Sequence, residues 1–105
     1  MLDIYYLALQ LVRDLKPIRD AVARSDPDHA RQMRKAYKAV PLLIAEGTGS
    51  HGRNRAARYN LALGEAREVS ATLDVAIADG IIESVDADVL DRLDRVQRTL
   101  NRLSR

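Results

Sequence analysis

VPLLIAEGTGSHGRNRAARYNLALGEARE, running from Val40 to Glu68, reads as a hairpin between two helices. Val40 to Ala45 finish an apolar helix, and Gly47 is placed as the left-handed residue just past an end near Glu46. The loop GTGSHGR that follows holds three of the chain's five glycines, a composition suited to special backbone angles. A second helix opens among Arg53, Arg55 and Arg58 and carries Gly64 in its interior. Glycine there costs about 1 kcal/mol against alanine, and close approach by another helix is the expected reason for it.

Outward from the hairpin, the pattern predicts one further helix on each side. The first covers about Leu2 to Arg24, with Ile4, Leu7, Leu11, Leu15, Ile18 and Val22 in steps of three and four. Pro17 interrupts it, and a bend or short break is expected near Leu15 to Pro17 because proline removes a donor and crowds the preceding turn. Asp26, Pro27 and Asp28 agree as cap, first helical position and acidic first turn of the second helix. Its seam is Ala30, Met33, Tyr37, Val40 and Ile44, with Ala36, Ala39 and Leu43 as a second stripe; Pro41 inside it predicts a kink. The third helix reaches Asp79 through Tyr59, Ala62, Ala66, Val69, Leu73 and Ala76, widened by Leu61, Leu63 and Ile77, and Gly80 ends it. The fourth spans about Asp86 to Ser104 on Val89, Leu93, Val96, Leu100 and Leu103. Asp88–Arg92, Asp91–Arg95 and Asp94–Arg98 are expected as i,i+4 pairs on its outer face. Short connections between helices of similar length give an all-α, antiparallel up-down-up-down four-helix bundle.

The bulk properties agree. A chain of 105 residues is one domain, and a hydrophobic content of 47% excludes a disordered chain. Four Tyr with no Phe or Trp leave Leu, Ile, Val and Ala to fill the core. The absence of Cys removes disulfides, thiolate zinc sites and thiol catalysis. MLDIYYLALQLVRDL lacks a basic leader and a small-residue cleavage site, and no uncharged apolar run approaches the ~20 residues needed to span a bilayer. A cytoplasmic protein without a membrane partner is the expectation.

The hairpin resembles the bacterial four-helix-bundle family that includes proteins encoded within intervening sequences of 23S ribosomal RNA genes. Gln32, Arg34, Lys35 and Ala36 match the first part of its pattern; Ile44, Ala45, Glu46 and Gly47 match the centre; Ala62, Leu63, Gly64 and Glu68 match the last part. The match is good over about Gln32 to Ile82. Ala39, Leu43 and Glu65 stand where the family pattern has Ser, Asn and Ser. The resemblance implies a ring-like homo-oligomer, pentameric in relatives. It extends distantly to an accessory protein of diversity-generating retroelements that is basic, pentameric, and binds nucleic acid and a reverse transcriptase. It brings no catalytic residue and no cofactor.

Charge placement is the best functional signal. From Arg31 to Arg58, seven basic residues (Arg31, Arg34, Lys35, Lys38, Arg53, Arg55, Arg58) face the single acid Glu46, a balance of +6 in a chain of +2. An arginine-bearing loop beside a helix N-terminus suits phosphate, so these seven are the candidate RNA or DNA contacts. The bland alternative is a solvated basic face that pairs with nearby acids. Base-specific readout is not expected, since no DNA-reading motif is present. His29 and His51, even with Asp26 or Glu46, lack metal-ligand spacing, so no metal is assigned. No nucleophile–base–acid set can be assembled, so no enzyme is expected. The second apolar stripe makes Ala39, Leu43 and Leu61 the candidate oligomer interface, because a bundle uses about one face per helix. A purely structural homo-oligomer with a protein partner is the alternative reading.

Overall fold

Steps of three and four put the apolar residues of each segment on one stripe, and those stripes close on one another in the computed structural model, which describes residues 2–105. The elements are α1 (Asp3–Ala23), α2 (Pro27–Thr48), α3 (Gly52–Ala78) and α4 (Ala87–Leu103), with no strand among the described residues. Helix α1 packs on α2 and α4, and α3 packs on α2 and α4, so the helices form a square in chain order, each antiparallel to its neighbours. The 27 residues of α3 rise about 40 Å, close to the longest dimension of the molecule, 43 Å.

Each helix contributes two of the most deeply buried side chains: Leu15 and Val22, Met33 and Ile44, Val69 and Leu73, Val96 and Leu100. Full burial of such a side chain is worth about 1.5–3 kcal/mol, so these four stripes supply much of the drive to fold. Polar groups at the seams are spent on cross-links. His29 Nε2 donates to the Thr72 carbonyl at 2.7 Å and ties α2 to α3. Gln97 Nε2 donates to the Ala66 carbonyl at 3.1 Å and to Ser70 Oγ at 2.6 Å, tying α4 to α3.

Two helix ends follow their local chemistry. Asp26 accepts from the His29 amide at 3.0 Å, with Pro27 behind it, so the start of α2 is capped as expected. Gly80 (φ 75°) closes α3: its amide donates to the Ile77 carbonyl at 3.0 Å and Ile81 donates to Ala76 at 2.9 Å. That double return is a Schellman cap, and Ile81 folds back onto the core.

Four expectations are corrected. Helix α1 is continuous through Pro17, so the short break is absent; Pro17 lies with Arg13 on the exposed side, where water can reach the carbonyl that proline leaves without a donor. Helix α2 runs past Glu46 to Thr48, so Gly47 is a buried helical residue and not a left-handed terminator. It is glycine for space: a Cβ there would lie 2.6 Å from Tyr59 Cε1. Gly64 was expected to admit close approach by another helix, but no helix of this chain supplies it: Gly64 is exposed and its missing Cβ would meet nothing within 4 Å. On α4 only Asp94–Arg98 forms, at 2.9 Å. Arg92 turns instead to Asp14 of α1 at 2.7 Å, because that carboxylate is mostly buried and already held by Gln10 at 3.1 Å.

A candidate polyanion-binding surface on α2 and α3

Residues 31, 34, 35 and 38 are separated by the steps that place side chains on one face of a helix. Arg31, Arg34, Lys35 and Lys38 are accordingly all exposed on the outer face of α2. With Ala39 and Leu42 they line a shallow depression of about 440 Å³. Arg31 is held by Asp28 at 2.9 Å, an exposed i,i+3 pair. Arg34, Lys35 and Lys38 form no ion pair with any described residue.

A second, smaller depression of about 220 Å³ lies on the α1 side of the same ridge, lined by Val12, Lys16, Arg19, Arg34, Tyr37 and Lys38. It adds Lys16 and Arg19 to the basic surface, two residues that charge counting within the hairpin missed. Both lean on Asp20, at 3.6 Å and 2.9 Å. The signal for them was the basic pair flanking Pro17, but only the packing of α1 beside α2 brings it to this place.

The remaining candidates sit at the turn. The connection is short, Gly49 to His51, because α2 is longer than expected and α3 starts at Gly52 (φ 56°). His51 precedes α3 and its side chain makes no cap, so the first-turn amides of α3 receive no side-chain acceptor from it. Arg53, Arg55 and Arg58 are exposed, but two of them staple the turn. Arg55 Nε donates to the Ser50 carbonyl at 3.0 Å, and Arg58 Nε lies 3.5 Å from Glu46. Ten residues separate Lys38 from Thr48, about 15 Å along the helix, and Leu42 and Glu46 occupy the face between them. The seven basic candidates thus form two groups: one on α2, unpaired except for Arg31, and a largely engaged one at the turn.

The apolar candidates lie between these groups. The contacts Glu46–Arg58 and Gly47–Tyr59 set the antiparallel register and bring Leu42 and Leu43 level with residues 61–64. Leu61 is 50% exposed and Leu42 62%, whereas Leu43 is half-buried against the core and Ala39 is half-buried. Leu42 was outside the predicted set because it falls on the basic face, beyond both apolar stripes of α2. The same register sets Ala39 level with Glu65. Glu65 is half-buried, and its Oε2 is shielded without a hydrogen-bond partner. Burial first, then the Glu68 carboxylate, raises the Glu65 carboxyl above its ordinary value, against a smaller opposing pull from Lys35.

His29 and His51 do not meet: one is bound to Thr72, the other is exposed at the turn. Among the described residues no group of three or more His, Asp or Glu is placed to hold a metal ion, and no helix is long and apolar enough to cross a membrane.

Against this geometry, residues 1–102 match the family model of the 23S rRNA-intervening sequence protein. No curated protein and no solved structure matches the chain. A match over nearly the whole length shows the family: the chain belongs to the 23S rRNA-intervening sequence proteins.

Proposed function

Taking membership of that family as the premise, we propose that the protein is a non-catalytic, self-associating helical module whose α2 face contacts the phosphates of structured RNA. The observation that carries this reading is the row Arg34, Lys35 and Lys38, exposed, on one stripe, and unpaired by any described acid. Unpaired cations on a solvent face release counterions when they meet a phosphate chain, and that release favours binding at low salt. Arg31 extends the row, and Arg53 with the uncapped amides of α3 offers a second, weaker contact at the turn. The grooves are shallow, which suits a backbone contact more than the enclosure of a base.

Self-association is the other half of the reading. Leu42 and Leu61, each at least half exposed, border the basic face, and burial against another copy removes them from water. A ring of five copies is what the resemblance to relatives implies. The same leucines, together with the engagement of Arg55 and Arg58, support the alternative of a structural oligomer that meets a protein partner and no nucleic acid.

Fluorescence anisotropy with an RNA hairpin separates the two. The RNA reading expects binding at ~50 mM salt that weakens with a log–log slope of about −3 for four contacts. It expects loss of binding in Arg34→Glu/Lys35→Glu/Lys38→Glu with helicity unchanged, and a smaller loss in Arg53→Glu/Arg55→Glu/Arg58→Glu. Absence of binding by the unaltered protein to RNA or DNA at low salt ends the RNA reading and leaves the alternative.

A further inference from the structure

Residues 95, 99 and 102 follow steps of four and three, which put Arg95, Thr99 and Arg102 on one stripe of α4. Helix α1 runs antiparallel beside that stripe, so its first turns lie level with it. Asp3 and Tyr6 face Arg95 and Thr99 there across a depression of about 470 Å³, with Ile4 and Leu7 as its apolar lining. A second depression, of about 260 Å³, continues along α4 from Arg95 and Thr99 to Arg98 and Arg102. The two share Arg95 and Thr99 and so form one path.

We propose that this path holds a single-stranded segment of RNA, one unstacked base against Tyr6 and the following phosphates along Arg95 and Arg102. The site goes beyond the α2 reading and shares with it only the class of macromolecule, since α2 and α4 are diagonal in the square. The aromatic ring is the first observation that selects this occupant. Tyr6 is 59% exposed and takes no part in the core. Its ring meets that of Tyr5 edge-on, centroids 5.4 Å apart and planes at 81°, and Tyr5 packs against the core. A ring that is braced yet open to solvent, beside an apolar lining, is a stacking platform that accepts any base. Bases inside a duplex are already stacked and cannot reach it.

Charge is the second. From Asp94 to Arg105 the chain has Arg95, Arg98, Arg102 and Arg105 against the single acid Asp94, a balance of +3. Arg98 is held by Asp94 at 2.9 Å, and Arg102 Nη2 donates to the neutral Thr99 Oγ1 at 3.5 Å. Arg95 and Arg102 form no ion pair with any described residue, although Asp91 lies one turn before Arg95. Asp3 is likewise unpaired, while Gln10, also at the rim, is turned to Asp14. A carboxylate accepts from the N–H groups that bases carry, and guanidinium groups donate to phosphate. The macrodipoles account for Asp3 and Arg102, each near a helix end of matching sign, but not for Arg95 in the middle of α4 or for Tyr6.

Arg95 and Arg102 are about 10 Å apart along the helix, so the path takes a short strand of a few nucleotides. Two phosphate contacts to a single strand give a log–log salt dependence of about −1.4, shallower than that expected of the α2 row.

The chain has no tryptophan, so Tyr6→Trp places a single fluorescent reporter in the depression. Its emission should be quenched when an unstructured oligoadenylate of about six nucleotides is added at ~50 mM salt. By anisotropy with the same oligonucleotide, Tyr6→Leu should weaken binding about tenfold, whereas Tyr6→Phe keeps the ring and should stay within about twofold of the parent. Arg95→Gln/Arg102→Gln should remove most of the salt dependence. Arg34→Glu/Lys35→Glu/Lys38→Glu should leave the quench in place, and circular dichroism on each variant reports that the bundle is intact. Absence of quenching, or a Tyr6→Leu protein that binds the oligonucleotide as tightly as its parent, overturns this site; binding of a hairpin through the α2 row would still stand. Quenching by a protein that binds no hairpin supports this site and ends the α2 reading. Absence of quenching with a Tyr6→Leu assembly that light scattering shows to be smaller overturns the site and makes the depression a contact between copies.

Discussion

Gly47 and Gly64 have the same residue type, both lie inside helices, and alanine should act on them with opposite sign. At Gly47 the added methyl carbon would lie 2.6 Å from Tyr59 Cε1, 2.8 Å from Cδ1 and 3.2 Å from Cζ. Carbon atoms rest at about 3.5–4.0 Å, so the ring must retreat by roughly 1 Å. Tyr59 is only 3% exposed and lies between α2 and the core, so it cannot retreat without displacing neighbours. Overpacking of this kind costs about 1–3 kcal/mol or more, set against a gain of about 1 kcal/mol in helix propensity. The expected balance for Gly47→Ala is a loss of about 1–2 kcal/mol, a fall in Tm of roughly 5–15 °C for a chain of this size. At Gly64 there is no neighbour to displace and the propensity gain stands alone, so Gly64→Ala should raise Tm by several degrees. Thermal unfolding followed by circular dichroism, at a dilution where copies do not pair, measures both. Tyr59→Leu in the Gly47→Ala background should recover part of the loss, because the ring is the object struck. A Gly47→Ala protein at least as stable as its parent would refute the account of Gly47 as a site made for the Tyr59 ring.

Two further outcomes follow from the polar groups. Asp14 receives Arg92 at 2.7 Å and Gln10 at 3.1 Å, and its removal should cost about 1–2 kcal/mol in denaturant unfolding. That figure is modest because the freed guanidinium is near enough to the surface to find water; a double-mutant cycle with Arg92→Ala should show that the two changes are coupled. Glu65 is pushed above its ordinary value of 4.5, first by burial and then by Glu68. Its folded value therefore exceeds its unfolded one, so its stabilising contribution is complete below the unfolded value and is lost as pH rises through the folded value. Glu65→Gln should melt above the parent near pH ~7 and lose that advantage toward pH ~4; an advantage that persists unchanged in acid would contradict this reading.

The four seams were legible because a buried stripe must repeat at the helical period, whatever it packs against. Asp26-Pro27 and Gly80 were legible because each capping interaction is local, closed within a few residues. Gly47 was not, since a glycine after an apolar run looks alike whether it stops a helix or admits a ring. What decides is Tyr59, adjacent only once the hairpin has closed. Arg92 was assigned to Asp88 by spacing, but its partner is 78 positions earlier, and no local rule weighs a near carboxylate against a better-buried distant one. The basic surface was half legible. Its α2 row came from spacing, whereas Lys16 and Arg19 joined only through the packing of α1. Arg55 and Arg58 counted as free charges until the turn showed what they hold. Leu61 was visible as surplus to the core, and the structure leaves it half exposed beside Leu42.

The square arrangement of α1 to α4 has a consequence for how the chain can be rewired. The start of α1 and the last turns of α4 are neighbours, with Asp3, Ile4, Tyr6 and Leu7 lining one depression with Arg95 and Thr99. A short tether between the two ends would cross little space, and the turn at Gly49 to His51 is the natural place for a new opening. In a circular permutant opened between Ser50 and His51 the staple between Arg55 and the Ser50 carbonyl would no longer be held by chain continuity. Any change in RNA affinity would then report how far the turn arginines depend on their tether, with the α2 row left in its original helix.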